Sequence, residues 1–156
     1  MKLFRQWVLE NSIEIGTTPE KIWEFFTNLE SNYTTWHPED HIVFRWTKGK
    51  PMEKGTHWYG EETVMGKLFK LTGTVGEVVP NRKIFFKYSL PVSLVAPGFE
   101  WLMEPKGAGS VFTAKSYIRA GDLLLKMSRK EIETKLEMHN KHVNEEGENL
   151  KKILES

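Results

Sequence analysis

Residues 3–15, LFRQWVLENSIEI, set Trp7, Leu9 and Ile13 largely at alternate positions among β-branched and aromatic neighbours, the two-residue period of a half-buried strand. A strand therefore opens the chain. After Gly16-Thr17, Thr18 can cap a helix N-terminus, Pro19 suits the first helical position, and Glu20 and Glu24 favour the positive end, which predicts a helix through Ile22, Trp23, Phe25 and Phe26. A second short helix is predicted from Leu29 to Thr35. It stops at Trp36-His37-Pro38, because a proline disfavours helical geometry at the residue before it. From His41 the pattern shortens to six extended segments, HIVFRW, THWYGEETVM, KLFKLTGTVGEVV, IFFKYSL, FEWLMEP and SVFTAKSYI. Their separators, among them Lys48-Gly49-Lys50-Pro51, Pro80-Asn81-Arg82 and Lys106-Gly107-Ala108-Gly109, carry turn chemistry and are mostly short enough for hairpins, which predicts a meandering antiparallel sheet.

The last segment, Ser128 to Ser156, carries Ile132, Leu136, His139, Val143, Glu146, Leu150 and Ile153 at alternating spacings of four and three, one narrow helical stripe flanked by Leu154. That stripe is predicted to face the sheet, with His142 at its edge. Lys130, Glu133, Glu137, Lys141, Glu145, Glu148 and Lys152 occupy much of the remaining, solvated surface. Gly121-Asp122 precedes or opens the helix, and Leu123 to Met127 read equally well as the end of the last strand.

At 156 residues the chain has the length of a single domain, and one domain, 1–156, is expected. Lys and Arg number 22 against 21 for Asp and Glu, which offers no basic footprint for nucleic acid or an anionic membrane and suits small neutral or mixed-polarity ligands better. Cysteine is absent, which removes disulfides, thiolate metal sites and a cysteine nucleophile together. Arg5 and Glu10 interrupt the apolar run a signal peptide needs, and no window approaches the roughly 20 apolar residues of a bilayer span, so a cytoplasmic protein is expected.

One strand, a helix pair, six strands and a long final helix follow the order of the α+β helix-grip fold, in which a curved antiparallel sheet wraps a C-terminal helix and leaves an apolar cavity between them. The segments TTPEKIWEFFTN, WHP after the helix pair and GTVGEVVPNRKIFFKYS resemble the START-related, Bet v 1-like (SRPBCC) superfamily, which includes the polyketide cyclase-like proteins. The resemblance covers nearly the whole chain. It implies this fold and a cavity for a small apolar ligand.

Four of the five histidines lie in two places, His37 and His41 after the helix pair and His139 and His142 on the last helix, while His57 stands alone. His142 and Glu146, four apart, stack on one helical face, so an imidazole and a carboxylate can converge on one ion. The same spacing is also a routine helical pair worth a few tenths of a kcal/mol. Position favours the metal, because Glu146 lies within the apolar stripe, where an ionised carboxylate is costly unless paired or bound to a cation. His41, and Glu61 or Glu62, can complete a set of two imidazoles and two carboxylates suited to zinc. Alternation puts Glu62 on one strand face with Trp58 and Val64, and Glu61 on the other; the more apolar face selects Glu62. Asp40 either orients His41 through its other ring nitrogen or closes the Pro38 turn.

The set also resembles the zinc-dependent diacetylphloroglucinol and phloretin hydrolases. Their His-Glu pair on the last helix is similar to His142 and Glu146, with Leu150 one turn on; their strand-edge histidine after Trp-X-Pro is similar to His41; their strand glutamate before glycine is similar to Glu62 before Gly66. This resemblance implies zinc at His41, Glu62, His142 and Glu146 and hydrolysis of a small aromatic or polyketide-like compound. With zinc bound, His37 or His139 can serve as general acid or base near neutral pH, the range in which an imidazole titrates. Those enzymes are considerably longer. A carrier that uses the cavity alone is the alternative. The tryptophans and phenylalanines are expected in the core, Gly73-Thr74-Val75-Gly76 lacks the context of a phosphate loop, and no nucleophile-elbow serine is present.

Overall fold

In the computed structural model, which describes residues 4–64, 66–121 and 129–156, strand β1 (Phe4–Ile15) leads into helices α1 (Pro19–Thr27) and α2 (Leu29–Trp36). Strands β2 (His41–Lys48), β3 (His57–Val64), β4 (Lys67–Val79), β5 (Lys83–Tyr88), β6 (Gly98–Lys106) and β7 (Gly109–Gly121) follow, and helix α3 (Arg129–Glu155) ends the series. The Thr18 hydroxyl accepts from the Lys21 N–H at 3.3 Å and Pro19 opens α1, as the sequence predicts. Helix α2 runs one residue past the prediction, to Trp36, whose indole Nε1 donates to the Glu146 carbonyl at 2.8 Å and so ties α2 to α3. Strand β2 continues past Trp46 because Lys48 still pairs with His57. Leu123 to Met127, where the sequence left strand and helix open, lie outside the described residues.

All neighbouring strands are antiparallel, in the order β1-β7-β6-β5-β4-β3-β2, so β1 and β2 form the two edges and the α1–α2 pair joins them. Register shifts between His41 and Val43 in β2 and between Val75 and Val78 in β4 introduce the bends that curve a sheet. At Gly73 a Cβ would lie 1.7 Å from the Lys87 carbonyl oxygen and 2.7 Å from the Trp58 ring, so only glycine lets that indole lie against β4.

Ile15, Ile22, Phe26, Leu29, Trp36, Ile84, Phe86, Met103, Phe112 and Leu150 are almost fully buried, and Phe26 stacks on Trp101 at 4.1 Å between ring centroids. Helix α3 crosses the concave face of the sheet against β1, with Gly147 beside Ile13 and Leu150 wholly buried. Among the described residues no helix is long and apolar enough to cross a membrane.

Candidate metal centre

Strand β2 begins at His41, and its Cα pairs with that of Glu62 on β3, so the two side chains leave the same face of the sheet side by side. Helix α3 brings His142 and Glu146 down onto them. The four residues place one ligand atom each within 4.8 Å of one another. His41 Nε2 lies 3.9 Å from Glu62 Oε2 and 3.6 Å from Glu146 Oε1, and His142 Nε2 lies 3.7 Å from Glu62 Oε2 and 2.5 Å from Glu146 Oε1. Ligand bonds of 2.0–2.1 Å in a tetrahedron give edges of about 3.3 Å, which these separations bracket.

Both imidazoles are held in the tautomer a metal requires. His41 Nδ1 lies 3.0 Å from the Tyr33 carbonyl oxygen, which can only accept, so Nδ1 carries the proton and Nε2 presents its lone pair to the cluster. His142 Nδ1 lies 3.0 Å from Asp40 Oδ2, so Nδ1 keeps its proton and Nε2 is the nitrogen that a metal would take once its own proton is displaced. Asp40 thus orients His142 rather than His41: its carboxylate reaches α3, while the His41 ring, stacked on Tyr33 at 3.9 Å, is served by that residue's backbone. Glu62 is steadied in turn by the Tyr33 hydroxyl, which donates to Oε2 at 3.3 Å.

The sequence placed His142 at the edge of the apolar stripe, yet it is 7 % exposed. Its Nε2 has no hydrogen bond despite the nearby Glu146 oxygen, because the two atoms are close in distance but not aligned as N–H···O. Without an ion, burial opposes the charged imidazolium, but the contacts and charges of Glu146 and Glu62 more than reverse this and push His142 up to about 11. Burial likewise works against the Glu146 carboxylate, and His142 and His41 overcome it, holding its pKa well below the usual carboxylate range. Tyr33 and Tyr88 are pushed far up, first by burial and then by the charges of Glu62 and Glu146, so both hydroxyls remain donors.

The cluster forms one wall of a partly open cavity of about 80 Å³. Trp36, Phe44, Trp58, Tyr88, Phe99 and Trp101 supply aromatic walls, and Gly60 leaves the floor open between Trp58 and Glu62. His139 also lines the cavity, with Nε2 3.1 Å from Ser116 Oγ. Burial, assisted by His142, lowers the His139 pKa despite opposing carboxylates, so it is neutral at neutral pH. His37 is buried but not among the lining residues. Glu61 is absent from the lining as well, and the exposed His57 lies in a separate depression with Arg45 and Tyr59.

Residues 6–144 match the family described as polyketide cyclase / dehydrase and lipid transport. The chain belongs to that family. Solved structures agree in fold. A START superfamily protein from Mycobacterium smegmatis aligns with a TM-score of 0.73 at 12% identity, covering 95% of this chain and 97% of that one. The Zhui aromatase/cyclase from a Streptomyces species gives 0.73 at 14% identity, covering 97% and 94%. Major latex-like protein 151 from Panax ginseng gives 0.72 at 9% identity, covering 97% and 98%. No curated protein matches the sequence. The polyketide cyclase / dehydrase family places the seven-stranded sheet and long C-terminal helix in the Bet v 1-like helix-grip fold.

Sequence reasoning missed Tyr33, Tyr88 and Ser116. Tyr33 lies on α2, eight residues before His41; the available signal was its spacing of four from Leu29 and three from Trp36, which marks the inward face of the predicted helix.

Proposed function

We propose that this member of the polyketide cyclase / dehydrase family is a zinc-binding hydrolase acting on a small aromatic or polyketide-like compound held in the cavity. The observation that carries this reading is the buried, unbonded His142 Nε2, which faces His41, Glu62 and Glu146 with its tautomer fixed from behind by Asp40. Two neutral imidazole nitrogens and two carboxylates suit zinc by type as well as by spacing. A bound zinc ion supplies a Lewis acid for a carbonyl or phenol oxygen and a water acidified to a pKa of about 7.

The chain's own residues supply the rest. Trp58, Phe99 and Trp101 offer ring faces to an aromatic ligand, and their apolar surface excludes water from the bond to be broken. Tyr88 has no protein partner for its hydroxyl among the described residues and lines the cavity, so it donates to a ligand oxygen. His139 on α3, neutral and beside the Ser116 hydroxyl of β7, holds or releases a proton at Nε2.

A carrier function is the second reading, favoured by the predominantly aromatic walls, which can hold an apolar ligand with no reaction. Acetylphloroglucinol separates the two. A hydrolase releases acetate from it only when zinc is present, and His142→Ala abolishes release; a carrier binds the compound, returns it unchanged, and tolerates His142→Ala with little loss of affinity.

A further inference from the structure

Behind the cavity a second series of polar side chains runs from the cluster toward the surface. Asp40 Oδ2, which accepts from His142 Nδ1 at 3.0 Å, also lies 3.6 Å from His37 Nε2, and His37 Nε2 lies 3.3 Å from Glu145 Oε2 on α3. His37 is 3 % exposed, buried between two carboxylates, whereas the Glu145 side chain is 44 % exposed and closes the series at the surface. The His37 carbonyl also accepts the N–H groups of Asp40 at 3.1 Å and His41 at 2.8 Å, so the same residue anchors the turn that delivers both.

His37, Asp40 and His142 place their ligand atoms within 4.8 Å, a grouping that by itself could take a second ion. The chemistry of His142 argues against that use alongside the inner centre. A neutral imidazole has one lone pair; with Nε2 turned to the inner cluster, Nδ1 must hold the proton that Asp40 accepts.

We infer that His37 is a positioning residue for the inner metal centre, acting through Asp40 on the His142 ring. This rests on the zinc reading above. The Asp40 side chain is 28 % exposed, so water competes for its oxygens, and a carboxylate that turned toward solvent would leave His142 Nδ1 unpartnered. His37 Nε2 lies 3.6 Å from the same oxygen, an ion-pair contact longer than a hydrogen bond, and is itself within hydrogen-bond reach of Glu145 at 3.3 Å. Asp40, and with it the His142 ring plane, is thereby set before an ion arrives, which reduces the ordering that binding costs. His37 does not line the cavity and is not one of the four inner residues, although its ring packs against those of His41 and His142 at 5.3 and 5.1 Å between centroids, so the role inferred for it is positioning.

The test is zinc affinity, measured on the full chain by competition with a chromophoric chelator. His37→Phe keeps a flat ring without the donor and is expected to weaken zinc binding about tenfold, the lower end for partners of a ligating imidazole. His37→Gln returns an N–H near the Nε2 position and is expected to recover most of that loss. In an Asp40→Ala background His37→Phe should change nothing further, because its route is gone. Glu145→Ala, at a surface position that does not threaten folding, should give a smaller weakening in the same direction. Equal zinc affinity in wild type, His37→Phe and Glu145→Ala overturns the inference and leaves the zinc reading standing. A His37→Phe loss of the same size with and without Asp40 also overturns it, as does a second equivalent of zinc that disappears in His37→Phe. If the wild type binds no zinc, both readings fall.

Discussion

His142 carries opposite consequences for the protein with and without an ion. In the metal-free protein its pKa is pushed up to about 11, so the stability it contributes is fully present below its ordinary value of 6.5 and is lost as pH rises toward 11. Zinc must displace that proton. Its affinity is therefore expected to rise roughly tenfold per pH unit between about pH 6 and 8, one proton being released per ion, as calorimetric titration at two pH values would show. A flat profile would mean that His142 is not a ligand. Tyr33→Phe removes one donor to Glu62 and leaves the backbone carbonyl that holds His41, so it should weaken zinc binding only about threefold to tenfold, whereas Glu62→Gln should weaken it more. At this scale the sequence was informative about which side chains converge and less so about what holds them. Glu62 was legible because alternation sets it on the apolar face with Trp58. The partner of Asp40 was not, because adjacency in the chain points to His41, while the fold delivers that carboxylate to a helix about a hundred residues away.

The elements were legible wherever hydrophobic period and turn chemistry agreed. The Thr18-Pro19 start of α1, the glycine-bearing turns between strands and the apolar stripe of α3 each had two independent signals, and each element lies close to its predicted bounds. The boundaries that moved did so for tertiary reasons, since Trp36 is held in α2 by its bond to Glu146 and Lys48 in β2 by its pairing with β3. Close backbone approach was invisible in the sequence, as at Gly73, where the run Gly73-Thr74-Val75-Gly76 says only what it is not. Gly73→Ala is expected to destabilise the protein by about 2 kcal/mol or more, because the new methyl meets a carbonyl oxygen and the Trp58 ring together. Chemical denaturation would measure this, and the indole should shift into the cavity and quench differently. Gly66→Ala, by contrast, meets no atom within 4 Å; its cost comes from the positive φ of 74° alone and should be smaller.

For the molecule as a whole, the cavity and the cluster are products of the same incomplete closure. A curved sheet and a single helix leave space between them, and the residues that border that space are aromatic on β3, β5 and β6 and ionisable where α3 meets β2 and β3. An ion that binds these four groups only in the folded chain should stabilise it. At free zinc a hundred times its Kd the gain is about 2.7 kcal/mol, or a rise in Tm of about 5–10 °C, reversed by a chelator. His142→Ala should show no such rise. The most direct test of the central claim is elemental analysis of protein purified without a metal-affinity tag. The account predicts close to one equivalent of zinc per chain, either as isolated or after zinc is added and excess removed; less than about a tenth of an equivalent, unchanged on adding zinc, would contradict it.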